Sequence, residues 1–397
     1  QSAGRFGTRL CRAMRVLIVT NDFPPAIGGI QSYVRDFVDE IVRREGPESV
    51  FVFAPTPNKE EAAAWDAARE YTVVRWPHYF LLPTVRVTRK MQELIRAHNI
   101  DTVWFGAAAP FAVMGAAAKR AGAARVVAST HGHEVGWSLV PGARRSLQRI
   151  GEHADTITYI SNFTLGRLKD AFGRDPDFVP LPSGVDTEFF RPAEPVERRA
   201  TRESLGVGES PLVVCSSRLV ARKGQDQLIR AIPAVRERVP GTQLIIVGDG
   251  PFRHKLKRLA RDVEGVTFTG AVSRERLRDI VAAADVFAMP ARTRKAGLDI
   301  EGLGIVYLEA QACAIPVIAG DSGGAPETVT KDTGFVVDGH SIQELVDKLS
   351  LLLIDAPLAA RMGQAGRCHV SQAYSWKVLG DRLVEVLRGE TPAVYDS

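Results

Sequence analysis

Two rhythms alternate along this chain. Short apolar runs rich in Val, Ile and Phe are separated by longer stretches in which apolar residues recur every three or four positions. The runs lie at 15–20 (RVLIVT), 50–53, 102–105, 125–129, 156–160 and 178–181, and the helix-period stretches at 30–44, 85–98, 111–121, 143–153 and 164–171. Strands apolar on both faces, spaced by amphipathic helices, predict a parallel sheet covered on both sides. Residues 183–197 (SGVDTEFFRPAEPVE) hold two prolines and no periodic run, and read as a linker. A second series of runs follows at 212–216, 243–247, 266–269, 286–289, 316–319 and 334–337, again with helical stretches between. Three helical segments, 342–353, 358–373 and 376–388, close the chain. The pattern predicts two doubly wound α/β units in tandem. In such sheets ligands bind beyond the carboxyl ends of the strands, so the loops that follow strands are the places to look for chemistry.

Composition narrows the picture only slightly. The 397 residues are 45% hydrophobic and 24% charged, ordinary for a globular chain of two or three domains. Four scattered cysteines without a CxxC pair suggest core thiols in a reducing compartment. The net charge of +5 comes without a Lys/Arg-rich block. Nucleic acid is therefore not expected as a partner, whereas an anionic ligand or membrane surface is compatible. No run approaches the roughly 18 apolar residues of a spanning helix. Residues 1–13 lack the apolar core of a secretory signal and read as a leader or overhang.

The loops after the predicted strands carry the candidate chemistry. After the first comes NDFPPAIGGIQSYV, where Gly28 and Gly29 open a helix whose free amides suit an anion. The spacing is not the GxGxxG of a dinucleotide site. After the fourth predicted strand comes STHGHEVGW, which puts His131 where it can hydrogen-bond a ligand or move a proton. His131, His133 and Glu134 do not match the His-Glu-x-x-His metal helix, so no metal site is expected there. Asp175-Pro176-Asp177 enters a strand rather than leaving one and reads as a turn, not a metal-diphosphate triplet. Asn162 opens a sequon, but Ser161 or Asn162 serves better as a helix N-cap.

In the second half, Arg218 and Lys223 follow a strand and precede a helix, a cationic cradle for a diphosphate. Gly248 sits in another strand-to-helix turn, and Val272 in a loop placed to border a planar base. The stretch EGLGIVYLEAQACAIPV places Glu301 before Gly302, Leu303 and Gly304, and Glu309 within a short helix predicted over 305–313. Glu301 can accept hydrogen bonds from sugar hydroxyls, the amides from Gly302 to Ile305 can meet phosphates, and Glu309 can hold a ribose diol. A carboxylate embedded in so apolar a run needs partners. Together these residues read as a sugar-nucleotide cradle.

These residues resemble the retaining glycosyltransferases of family four, which have the GT-B fold. That fold is α/β, with two Rossmann-like doubly wound domains facing across a deep cleft. The resemblance spans residue 14 onward. It is most specific in Glu301, Gly302, Gly304 and Glu309, with Arg218, Lys223 and the Gly28-Gly29 loop. NDFPPAIGGIQSYV, HGHEVGW and ARTRKAGLDIEGLGIVYLEAQACAIPVIAGDSGGAPE are similar to the GDP-mannose-dependent phosphatidylinositol-mannoside mannosyltransferases of mycobacteria and corynebacteria. The resemblance implies an acceptor domain at 14–185, a donor domain at 186–374, and a segment at 375–397 crossing back to the first domain. It implies a catalytic set of His131, Glu301, Arg218 and Lys223, no cofactor and no required metal. It also implies a phosphoinositide glycolipid acceptor, reached by peripheral attachment to the cytoplasmic face of the plasma membrane. The basic amphipathic segments 81–96 and 140–151, with Arg86, Arg89, Lys90, Arg144, Arg145 and Arg149, are the expected membrane contacts. Physical reading of the residues leaves open the nucleotide base, the acceptor and its linkage. It also leaves open a family-four enzyme with another donor, a sugar-nucleotide epimerase of like architecture, and a nucleotide-sugar-binding regulator.

Overall fold

The structure is a computed structural model that describes residues 14–26, 28–138, 140–297 and 299–392; the leader reading of 1–13 lies outside it. The chain divides into two compact units. One comprises residues up to Thr158 with Leu168–Val179 and Gly380–Ala393; the other comprises Tyr159–Arg167 and Pro180–Leu379.

The first unit is built on a seven-stranded sheet of β1 (Val16–Val19), β2 (Val50–Pro55), β3 (Thr72–Trp76), β4 (Thr102–Phe105), β5 (Arg125–Ser129), β6 (Thr156–Tyr159) and β7 (Asp177–Pro180), ordered β3-β2-β1-β4-β5-β6-β7. β1 runs parallel to both neighbours, with Val16 opposite Val50 and Thr102. Strands β1, β2 and β4 are buried along their whole length, which is why they read as unbroken apolar runs. The end of the last helix, Trp376–Arg388, belongs to this unit, where Thr102 Oγ1 donates to the Leu387 carbonyl and Arg125 Nε to that of Val386.

The second unit has a six-stranded parallel sheet of β8 (Leu212–Ser216), β9 (Gln243–Val247), β10 (Val266–Gly270), β11 (Val286–Met289), β12 (Val317–Gly320) and β13 (Gly334–Val337), ordered β10-β9-β8-β11-β12-β13. In each unit the chain order reverses once, between β1 and β4 and between β8 and β11. These are the topological switch points where loops part and leave room for a ligand.

The structure corrects several boundaries. β3 and the helix Lys59–Ala67 are additional to the predicted elements, so the HGHE loop follows the fifth strand, not the fourth. The supposed linker ends in the helix Pro195–Ser204, begun by a capping box between Glu194 and Glu197. The predicted helix 111–121 is a 3-10 turn, Phe111–Met114, followed by the helix Gly115–Ala121. Ser161 does serve the start of its helix, accepting from the Thr164 N–H at 3.3 Å.

Candidate active site

In the second unit, the loops after β8 and β11 flank the switch point. Lys223 lies on the first, in the 3-10 turn Ala221–Lys223, and Glu301 on the second. They meet: Lys223 Nζ is 2.6 Å from Glu301 Oε2, with the two side chains 12% and 8% exposed. Arg222 stands behind the pair, with Nε 4.0 Å from Glu301 Oε2 and Nη1 3.4 Å from Asp299 Oδ1. The two loops are also tied by backbone and ion-pair contacts. The Arg292 N–H donates to the Arg222 carbonyl at 2.8 Å, and the buried Arg292 guanidinium donates to Asp226 at 2.9 Å. Gln225 Nε2 donates to Ser217 Oγ (2.8 Å) and the Arg218 carbonyl (3.2 Å), fixing the turn that carries Arg218. The Arg218 side chain is exposed and makes no ion pair among the described residues. The two expected diphosphate cations are therefore in different states: Lys223 is engaged by a carboxylate, and Arg218 faces solvent.

A third loop, after β12, sets the Glu301 backbone. The Glu301 N–H donates to Ser322 Oγ at 3.1 Å, and its carbonyl accepts from the Gly324 N–H at 2.9 Å. Gly323 has φ +59°, and a Cβ there would lie 1.9 Å from the Glu301 carbonyl oxygen. No other residue fits that spot without moving the glutamate. Sequence reasoning assigned no role to Ser322, Gly323, Gly324 or Arg222; paired glycines three residues past a strand were the available signal.

Gly304, in the left-handed region at φ +87°, starts the helix Ile305–Ala312. The helix is anchored by Tyr307, buried beneath it, whose hydroxyl donates to the Met289 carbonyl at 2.5 Å. Leu303 is buried, while Gly302 and Ile305 are half-exposed, so the amides at this helix start border accessible space. Glu309 is half-buried on the same helix. Burial pushes its carboxyl up to about 7, an effect that the positive charge of Arg274 offsets only in part. Gly248 and Val272 lie just beyond the ends of β9 and β10, both half-buried.

In the first unit, Gly28 precedes the helix Gly29–Glu45, with Gly28 half-buried and Gly29 exposed. A Cβ on Gly29 would meet nothing within 4 Å, whereas one on Gly28 would lie 2.2 Å from Gln31 Oε1, so the Gln31 side chain covers the turn before this helix. His131 follows β5, and its Nε2 is 2.7 Å from the Gly106 carbonyl just past β4. A carbonyl only accepts, so Nε2 carries the proton and Nδ1 of a neutral ring is left as an acceptor. Burial pushes the imidazole below its usual value, more than nearby Glu134 raises it, keeping the ring neutral at pH 7. Tyr33 packs edge-on against it at 4.7 Å between ring centres. Glu134 is fully buried and clamps the loop, its Oε2 accepting from the His131 N–H at 3.1 Å. Among the described residues, no three His, Cys, Asp or Glu side chains are grouped so that they could hold a metal ion.

The chain matches two family models, "Glycosyltransferase Family 4" over residues 27–189 and "Glycosyl transferases group 1" over residues 197–369. It is 55% identical over 378 residues to a GDP-mannose-dependent monoacylated alpha-(1-6)-phosphatidylinositol monomannoside mannosyltransferase of Corynebacterium glutamicum, covering 95% of this chain and 98% of that protein. It is 52% identical to a GDP-mannose-dependent alpha-(1-6)-phosphatidylinositol monomannoside mannosyltransferase of Mycolicibacterium smegmatis, covering 95% of this chain and 99% of that one. Among solved structures, Anabaena Alr3699/HepE in complex with UDP superposes with a TM-score of 0.76 at 20% identity, covering 95% of this chain and 100% of that one. At that identity the likeness shows the fold alone. The chain belongs to the family-four glycosyltransferases of GT-B fold, alongside these phosphatidylinositol-monomannoside mannosyltransferases.

Proposed function

We propose that this enzyme transfers mannose from GDP-mannose to a phosphatidylinositol mannoside with retention at the anomeric carbon. The observation that carries the reading is the near full-length similarity to relatives named for that reaction. The Lys223–Glu301 pair at the switch point supports it by placing a cation for phosphate and a carboxylate for sugar hydroxyls side by side. In the reaction, the acceptor hydroxyl attacks the anomeric carbon on the face from which the diphosphate departs. The bond from carbon to phosphate oxygen breaks, the new glycosidic bond forms, and the acceptor proton passes to the departing phosphate oxygen. Lys223, Arg218 and the amides at the start of the helix Ile305–Ala312 stabilise the growing negative charge. Glu301 orients the sugar, and Glu309 holds the ribose. The role that the resemblance gives His131 fits a neutral ring with Nδ1 free to accept from a hydroxyl.

The direct test supplies GDP-mannose, UDP-glucose and ADP-glucose in turn, with phosphatidylinositol mannoside in detergent micelles. Mannolipid product from GDP-mannose alone is expected, and it should persist in excess chelator because protein cations meet the diphosphate charge. Faster transfer from another donor, or transfer to water-soluble acceptors only, would overturn the assignment. Activity that chelator abolishes and Mg²⁺ restores would overturn the metal-independent reading.

A lipid acceptor places the work at a bilayer, and among the described residues no helix is long and apolar enough to cross one. The reading therefore includes peripheral attachment on the cytoplasmic side, in keeping with Cys215, Cys313 and Cys368 being free, and no nucleic-acid partner. Arg86 and Arg89 on the helix Val85–Ala97, and Arg144, Arg145 and Arg149 on the helix Pro141–His153, are exposed; Lys90 is half-exposed and 3.3 Å from Glu93. Each basic side chain near an anionic surface contributes about 1 kcal/mol, screened by salt. Gln at all six positions is expected to abolish salt-sensitive binding to anionic vesicles in co-sedimentation. Equal binding of the variant and the wild type at every salt concentration would move the contact elsewhere.

A further inference from the structure

Among the described residues, the densest exposed apolar surface of the first unit is a single loop. Between β3 and the helix Val85–Ala97, Tyr79, Phe80, Leu82 and Val85 are 62%, 61%, 54% and 67% exposed. Tyr79 and Phe80 pack edge to face at 4.7 Å between ring centres, so they form one protrusion. Isolated exposed apolar residues are ordinary, but four within seven positions, two of them aromatic, are not.

The loop is built to hold them outward. Leu81, between Phe80 and Leu82, is fully buried, and its N–H donates to Asn21 Oδ1 at 2.7 Å. On one side the Thr56 N–H donates to the His78 carbonyl (2.9 Å), and the His78 N–H to the Trp76 carbonyl (2.8 Å). On the other, Thr84 caps the helix by accepting from the Val87 N–H at 3.3 Å, while the Thr84 N–H donates to the Leu82 carbonyl at 2.7 Å. Pro77 and Pro83 stiffen both ends. With Leu81 committed to the core, its neighbours cannot also turn inward. Asn21 lies two residues past β1, so the loop is pinned at the carboxyl-end edge of the sheet, the edge that carries the Gly28-Gly29 and His131 loops.

Charge identifies what covers this patch. The adjoining helix turns Val87, Met91, Leu94 and Ile95 inward, and exposes Arg86, Arg89 and Arg96 against the single acid Glu93. A second copy docked symmetrically would set these cations against their own images. A sheet of anionic headgroups over an apolar layer matches both halves, apolar tip and basic collar.

We propose that residues 79–85 are a membrane wedge. Tyr79, Phe80, Leu82 and Val85 enter the interfacial layer of an anionic bilayer, and Arg86 and Arg89 engage lipid phosphates. This rests on the lipid-acceptor reading and adds to it a salt-resistant, apolar anchor distinct from electrostatic attraction. It also fixes which edge of the sheet faces the lipid.

The test compares the wild type, the triple variant Tyr79→Ser/Phe80→Ser/Leu82→Ser, and Arg86→Gln/Arg89→Gln on phosphatidylcholine vesicles with and without phosphatidylinositol. The serine variant is expected to lose ~30-fold or more in partitioning at both low and high salt. The glutamine variant should lose only the salt-sensitive part. On vesicles, the indole introduced by Phe80→Trp should shift to the blue and be quenched by brominated lipid, read as a difference from the wild type. GDP affinity and melting temperature, expected to be unchanged in all variants, report folding. Equal vesicle binding by the serine variant and the wild type would overturn the wedge. So would an introduced indole that stays open to an aqueous quencher on vesicles, or a wild-type dimer that the serine change dissociates without altering vesicle binding. Transfer to mannolipid acceptor in detergent micelles is scored separately, so failure of the acceptor reading is distinguishable from failure of insertion.

Discussion

Arg218→Ala is expected to lower single-turnover transfer by roughly 100-fold or more while leaving the melting temperature unchanged. The side chain is exposed and makes no ion pair among the described residues, so its removal breaks no described ion pair. Its effect appears only as the diphosphate leaves and charge develops. Lys223→Ala is expected to match that loss in rate and to cost stability as well. It strands Glu301 in a buried position with Arg222 Nε, 4.0 Å away, as the nearest remaining cation. Removing one partner of a buried ion pair costs roughly 3–5 kcal/mol, less where water reaches it. Lys223→Ala/Glu301→Gln should therefore recover most of the stability and none of the rate, a split that rapid-quench kinetics and thermal melts read separately. Near-normal rates in both single alanine variants would sink the diphosphate assignment.

The parallel sheets were legible because strands buried on both faces leave unbroken apolar runs. β4, β5, β8, β9, β11 and β13 stand where their runs predicted. β3 escaped because it is an edge strand. Its five residues are exposed or half-exposed, and Arg75 within it is committed to an ion pair with Asp66 at 2.7 Å. The helix Lys59–Ala67 escaped because only Ala62 on it is buried, leaving almost no periodic signal.

The site was legible as a set of loops, but not as a set of contacts. Position after a strand selected Arg218, Lys223, Glu301 and His131. What each touches depends on which strands are neighbours, and no local pattern encodes that. The ion pair of Lys223 with Glu301 arises because β8 and β11, far apart in sequence, lie side by side at the switch point. The packing of Gly323 against the Glu301 carbonyl likewise depends on β12 lying next to β11. The loop 79–85 went unread as an apolar surface because Tyr79, Phe80, Leu81 and Leu82 form one short apolar run; only the fold shows that Leu81 is inside and the others outside.

Affinity for GDP-mannose is expected to fall as pH drops below about 7, by up to tenfold per unit, and Glu309→Gln is expected to remove that dependence. Burial holds the Glu309 carboxyl near 7, so in the free enzyme it is mostly protonated below that pH. A carboxylate can accept from both ribose hydroxyls at once; the protonated acid gives up part of that capacity. Binding through the carboxylate must then expel a proton, and the cost grows with acidity. GDP-mannose suits the measurement because its diphosphate is esterified at both ends and has no group titrating between about pH 5 and 8. The same shift fixes a sign for stability. The folded value lies above the unfolded one, so the contribution is fully present below about 4.5 and is lost as pH rises through about 7. At pH 8 the unliganded enzyme thus keeps a charge that costs it about 3 kcal/mol. Glu309→Gln should accordingly melt higher than the wild type at pH 8 and level with it at pH 5, while binding GDP-mannose more weakly at pH 8. Calorimetry in two buffers of different ionisation enthalpy should count close to one proton released per GDP-mannose bound near pH 6 by the wild type, and none by the variant. Equal proton counts for the two proteins would show that Glu309 does not meet the ribose.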